Sequence, residues 1–283
     1  MTRATLTSIQ TIELVAWGLD DYEARPRMFD RERLLQSHAV VVRRPWDECS
    51  NALCKERSCT LGEVLGEVLE VQQSRPDLQA EMLGLDWFLG VIDLRRLLTF
   101  QRRLSFHAAL PATAIPRQSD WRGLMEIAFA PPHPIACDLI RQVDGNTITL
   151  RSNNPNLHLR VTEDPSTPIA VHAGSPFFEV AQYAGRWLLR DGYHRAYNLL
   201  RAGIFYMPAL IVRARTLEEL GANQPHFFSE ATILSPHPPL VGDFLDDRLT
   251  IHYDRPPAVK TLRITMDESI AYPHLATISG EQR

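Results

Sequence analysis

Residues 177–212 read FFEVAQYAGRWLLRDGYHRAYNLLRAGIFYMPALIV, and the hydrophobic period changes twice within them. The runs Phe178 to Tyr183 and Arg186 to Leu189 carry the two-residue alternation of half-buried strands. Ala184–Gly185 between them is a hairpin turn pair. "HRAYNLLRAG" then sets Ala196, Leu199 and Leu200 on one helical face, and Gly203 suits a helix stop. "YMPALIVRA" (206–214) reads as a strand again. A helix sandwiched so tightly between strands must pack on their sheet, so the expected class is α+β.

The junction between the second strand and the helix holds Asp191, Gly192, Tyr193, His194 and Arg195. The first turn of a helix presents backbone N–H groups with no intrahelical partner. The helix dipole adds partial positive charge there, so an anion is welcome. Asp191 ends the strand, and Gly192 permits a positive φ or a close ligand approach. His194 and Arg195 add donors, and a guanidinium can grip two phosphate oxygens at once. The same residues also read as an ordinary turn: Asp-Gly is a common turn pair, and Asp is a good cap. On spacing alone, phosphate cradle and plain turn both stand.

Elsewhere the signals are coarser. "SHAVVVRRPW" (37–46) has the β-branched run of a strand. "TLGEVLGEVLEVQQ" (60–73) has helical spacing, with Thr60 and Glu63 as a capping box. Residues 75–110 read as two helices, broken near Gly84 or Gly90. Their basic residues Arg95, Arg96, Arg102 and Arg103 read as a solvated face beside a leucine stripe. Residues 111–121 and 130–138 read as loops. "NTITLRS" (146–152) and "LHLRVTE" (157–163) alternate as a hairpin or neighbouring strands, and "TLEELG" (216–221) is a short helix capped by Thr216 with Glu219 as its box partner. Two more strands are expected near 248–253 and 259–266. The division is therefore a mixed, mainly helical region over 1–140, a domain over 141–225, and β additions with a tail over 226–283.

The chain has 283 residues and a formal net charge of −4, so no global attraction to nucleic acid or anionic lipid is expected. No apolar run is long enough to span a bilayer, and the first residues turn acidic too early for a secretory signal; a cytoplasmic address follows. Cys49, Cys54 and Cys59 recur every five residues, with Cys137 remote, a spacing that fits zinc poorly. The chain carries no Walker A loop, Gly-x-Gly-x-x-Gly, Gly-x-Ser-x-Gly or His-Glu-x-x-His.

The segment 177–212 resembles the core of the ParB/sulfiredoxin-like superfamily: a strand, a strand ending in Asp-Gly-x-His-Arg, a helix, then "xxPxxxV". The resemblance implies a nucleotide-binding protein, with ATP or another NTP and Mg²⁺ as ligands. It implies NTP hydrolysis or phosphotransfer to a small-molecule or protein acceptor. Gly192, His194 and Arg195 would contact phosphate, Asp191 would brace the turn or approach magnesium, and Tyr193 stands within the motif. Sulfiredoxins carry a catalytic cysteine where this chain has Tyr193, which argues against sulfinic-acid repair. No helix-turn-helix follows residue 221, which argues against a partition factor. A kinase-like member needs a carboxylate base: Glu179 is the first candidate, with Glu163 and Asp164 as others. Tyr183, Tyr193 or Tyr197 could stack on a base. Two alternatives remain: a non-catalytic module that senses nucleotide or docks a partner, and a nuclease or DNA-associated factor.

Overall fold

The computed structural model describes residues 9–18, 31–44, 52, 70–106, 115–130, 140–152, 157–161, 166, 169–173, 177–222, 226–256 and 259–270. The four cysteines, Glu163 and Asp164 lie outside these residues, as does most of the helix expected over 60–73. The chain forms two compact units, one of residues 1–133 with 175–257 and one of residues 134–174 with 258–283.

The first unit is a mixed α+β body with two sheets. One sheet has the order β11-β1-β3, from β1 (Ile9–Leu14), β3 (Arg103–Phe106) and β11 (Thr250–Arg255), all antiparallel. The other has the order β2-β10-β8-β9, from β2 (Trp87–Asp93), β8 (Glu179–Tyr183), β9 (Arg186–Asp191) and β10 (Tyr206–Arg213). β8 and β9 form the expected hairpin; Ala184 and Gly185 both have positive φ, 48° and 76°, which matches strand twist in a two-residue turn. The chain then returns through a helix so that β10 lies parallel to β8. Pro208 is tolerated inside β10 because β8 pairing begins only at Leu210. The outer edge of β9 is covered by the segment at Leu98, which exchanges backbone bonds with Trp187 and Leu189 at 2.9 Å each.

Among the described residues before 140, helix does not dominate, which corrects the expectation from sequence. The valine run expected as a strand over 37–46 closes a helix, α1 (Arg31–Val42), of which only Ser37 and Val41 are buried. Polar contacts dock it: Ser37 Oγ donates to the Arg248 carbonyl at 2.6 Å and Arg33 donates to the Thr250 carbonyl at 2.8 Å. Of the stretch 75–110, the described residues 75–106 form a short helix, α2 (Pro76–Glu81), followed by β2, a 3-10 turn at Leu94–Arg96 and β3. A continuous apolar run cannot by its period distinguish a buried strand from a buried helix. Here the aromatic and β-branched residues Trp87, Phe88, Val91 and Ile92 take the strand. The helix α3 (Trp121–Ala128) starts where Asp120 accepts a bond from the Gly123 N–H at 2.9 Å.

α4 (Tyr193–Arg201) buries Tyr193, Ala196, Leu199 and Leu200 against the core, as its spacing predicts. Two single-turn helices follow, α5 (Leu217–Leu220) and α6 (Glu230–Ile233), and then a 3-10 turn at Val241–Leu245. Thr216 caps α5 through the Glu219 N–H, while the Glu219 carboxylate reaches back to Arg215.

In the second unit, β4 (Ile140–Asp144), β5 (Thr147–Ser152) and β12 (Lys260–Thr265) form a sheet of order β12-β5-β4. β6 (Leu157–Val161) pairs with β7 (Ile169–Ala173). The expected strands at 146–152 and 157–163 thus exist but do not pair with each other. No helix among the described residues is long and apolar enough to cross a membrane.

Candidate functional site

The strand-to-helix junction has the local geometry its sequence requires. Gly192 has φ 98° and ψ 22°, a left-handed conformation, and acts as the N-cap of α4. No side chain caps the helix there. A Cβ at Gly192 would lie 2.6 Å from Cδ2 of Phe178, so both backbone angle and space demand glycine. Asp191 turns back on the junction and accepts from the Gly192 N–H at 2.5 Å.

Glu179 lies opposite Asp191 across the hairpin, where a register shift falls between Glu179 and Val180. The bulge brings Arg190 to the same carboxylate: Arg190 Nη1 meets Glu179 Oε2 at 2.5 Å. Glu179 is 3% exposed. It is a buried ion-pair partner whose Oε2 is held by Arg190.

The two cationic side chains of the motif are anchored on different segments. The His194 ring donates from Nε2 to the Ser105 carbonyl on β3 at 2.9 Å, which fixes the proton on that nitrogen. Its edge meets Phe106, ring centroids 5.2 Å apart. Arg195 donates to the carbonyl of Ile127 at 3.1 Å and of Phe177 at 2.6 Å. Ile127 is in the last turn of α3, whose terminal carbonyls lack helical partners and attract cations. Arg195 therefore ties the end of α3 and the entry to β8 onto α4. Burial works against its charge, while Asp191 and then Glu179 support it.

Tyr193 is packed inward. Its hydroxyl donates to the Leu189 carbonyl at 2.6 Å, its ring meets Phe100 at 5.8 Å, and burial drives its pKa upward, so the phenol stays neutral. Tyr183 sits at the hairpin end of β8, the end away from Asp191, and its hydroxyl bonds Glu230. Tyr197, one turn into α4, packs against Phe106 with centroids 5.3 Å apart. Of the three tyrosines, only Tyr197 stands on the face that His194 begins.

The basic residues of 95–103 are engaged by the protein itself. Arg95 pairs with Asp93 at 2.7 Å and lies over Phe205. Arg96 lies 3.7 Å from Asp93. Arg103 pairs with buried Glu13 at 3.0 Å, and Arg102 donates to the Gly18 carbonyl and covers Phe228. Among the described residues no three His, Cys, Asp or Glu side chains gather as metal ligands.

Burial lowers the His194 pKa below 6.5, outweighing the Ser105 bond and the Asp191 charge, which act the other way. Between 6.5 and the lower folded value, the unfolded chain takes a proton that the native imidazole refuses. Stability from this group is fully present above about pH 6.5 and falls as pH drops toward the folded value. Urea midpoints between pH 7.5 and 5 should decline in the native protein, and His194→Gln should flatten that leg.

Comparison with protein-family models, characterised proteins and solved structures gives no match.

Sequence reasoning named the residues of the junction but not their partners. Arg190, Ser105, Phe106 and Ile127 lie 11 to 89 residues from the groups they hold, and no motif marks them. The continuation of the His194 face along α4 was legible: Tyr197, Asn198 and Arg201 fall at i+3, i+4 and i+7.

Proposed function

We propose that this chain is a nucleotide-binding protein of the ParB/sulfiredoxin-like kind, with the phosphates held at the first turn of α4. The observation that carries the reading is the junction itself: a strand, a left-handed glycine with no room for a side chain, and a helix whose first turn no side chain caps. The order β8, β9, α4, β10, with β10 parallel to β8 and Pro208 near its start, agrees with the resemblance. In this reading the phosphate oxygens accept from the amides at the start of α4, while His194, held on the Ser105 carbonyl, and Arg195, held on the Ile127 and Phe177 carbonyls, position that helix. Asp191 fits a role beside magnesium, because Mg²⁺ bound to nucleotide needs only one or two protein carboxylates. A nucleotide ligand also fits a cytoplasmic address.

Because Glu179 is buried against Arg190, binding or sensing is favoured over phosphotransfer through that carboxylate. Hydrolysis or transfer to an acceptor would need another base, and Asp191 is the carboxylate nearest the helix tip in sequence.

The test is thermal unfolding with ATP, ADP, CTP and GTP, each with Mg²⁺. A ligand at about a hundred times its Kd stabilises by about 2.7 kcal/mol, a clear rise in Tm. His194→Ala, which frees the first turn of α4 from the Ser105 carbonyl, should weaken binding about tenfold, as loss of one positioning hydrogen bond does. Phosphate release then separates an enzyme from a sensor. If none of these nucleotides raises the melting temperature, the reading is wrong.

A further inference from the structure

The face of α4 that begins with His194 runs into a cleft of about 820 Å³. Tyr197, Asn198 and Arg201 form one wall. The opposite wall comes from the β11-β1-β3 sheet. Cross-strand register sets Gln10 beside Phe106 and Ile12 beside His252, so these four residues share one sheet face. The 3-10 turn at Val241–Leu245 closes the third side with Phe244.

The chemistry of this cleft differs from that of the junction. Its floor is apolar: Ile12, Leu200 and Phe244 are all buried. Phe106 and Tyr197 give it an aromatic wall, and Phe106 touches both Tyr197 and His194. Its rim carries two carboxamides, Gln10 and Asn198, whose side chains have no hydrogen-bond partner among the described residues. One guanidinium, Arg201, is balanced by one carboxylate, Asp247, which faces His252 at 3.8 Å. A site with a stacking wall, amide donors and acceptors, and no excess of either charge suits a planar heterocycle with a hydrogen-bonding edge.

We infer that this cleft takes the nucleoside portion of the ligand, with its base against Phe106 and Tyr197 and its edge read by Asn198 and Gln10. The inference deepens the nucleotide reading and rests on it for the class of ligand. The distances agree: the seven residue steps of α4 from His194 to Arg201 span about 10 Å at the helical rise. A nucleotide lying along the helix would thus reach from the first turn into the cleft.

The experiment is calorimetric titration of the full chain with Mg²⁺ present, using adenosine, guanosine, cytidine, uridine, their triphosphates, and inorganic tripolyphosphate. One nucleoside should bind alone, and Asn198→Ala and Gln10→Ala should each weaken it about tenfold, as loss of a base-edge hydrogen bond does. Tripolyphosphate binding should be unchanged by either variant. Melting curves of both variants confirm that they are folded. If tripolyphosphate and all four triphosphates bind alike, and neither variant changes any of them, the cleft inference is overturned while the phosphate site stands. If a nucleoside binds through Asn198 but tripolyphosphate does not, the cleft is supported and the first-turn phosphate reading fails. Absence of binding by every compound removes both.

Discussion

Gly192→Ala lowers the stability of the folded chain by about 3 kcal/mol. A left-handed backbone costs a residue with a Cβ about 1–2 kcal/mol. The new methyl also meets the Phe178 ring at 2.6 Å, and forcing extra volume into a packed site adds about 1–3 kcal/mol. Phe178 is fully buried, so its ring has little freedom to withdraw. Gly203→Ala is the comparison: its φ is 75°, but a Cβ there meets nothing within 4 Å, so only the backbone cost of about 1 kcal/mol applies. Urea unfolding of the two variants measures the difference. Equal midpoints would show that the junction relaxes and that close packing at Gly192 is not what selects glycine.

Arg195→Met destabilises the protein without any ligand, again by about 3 kcal/mol. The substitution keeps the aliphatic stem and removes the guanidinium. The carbonyls of Ile127 and Phe177 then lose a charged donor, and Asp191 and Glu179 lose a neighbouring positive charge. Leaving buried acceptors unsatisfied costs about 1–3 kcal/mol, and breaking a buried charge arrangement costs more. Arg195→Lys should recover only part of the loss, since an ammonium cannot present the planar fork that spans two carbonyls. A side chain whose whole role was to grip phosphate would leave the unliganded protein as stable as before. Chemical unfolding in phosphate-free buffer distinguishes the two, and it is also the control that any ligand-binding result with an Arg195 variant requires.

The contrast between these two residues shows how far sequence reading reached. The hairpin, α4, β10 and the two late strands were legible because each carries its own period and its own stop: Ala184–Gly185, Gly203 and the Pro-containing β10. Gly192 was legible too, since the demand for a left-handed residue is local. At 37–44 and 75–100 the structure departs from the sequence expectation because local signals compete. Val40, Val41 and Val42 favour a strand by propensity, yet side-chain bonds from Arg33 and Ser37 to the chain near residue 250 hold them in a helix. Trp87–Asp93 is a short apolar run whose period does not separate strand from helix, and its pairing with β10 is a contact that the local sequence does not carry. The roles of Arg195 and Glu179 were hidden for a different reason. A sequence gives residue types at a junction, but not the carbonyls of α3 or the bulge that delivers Arg190.

The pairing of Ile9–Leu14 with Thr250–Arg255 has a consequence for synthesis. Chain growth is directional, so β1 leaves the ribosome long before its partner does. Until residue 255 emerges, one margin of that strand has no ladder, and the growing chain must also pass through all of the second unit's first segment, 134–174. Closing so wide a loop is slow compared with forming the 177–213 stretch, whose partners are neighbours. The nascent protein should therefore acquire its central hairpin and crossing helix early and resist protease only once residues 250–255 have emerged.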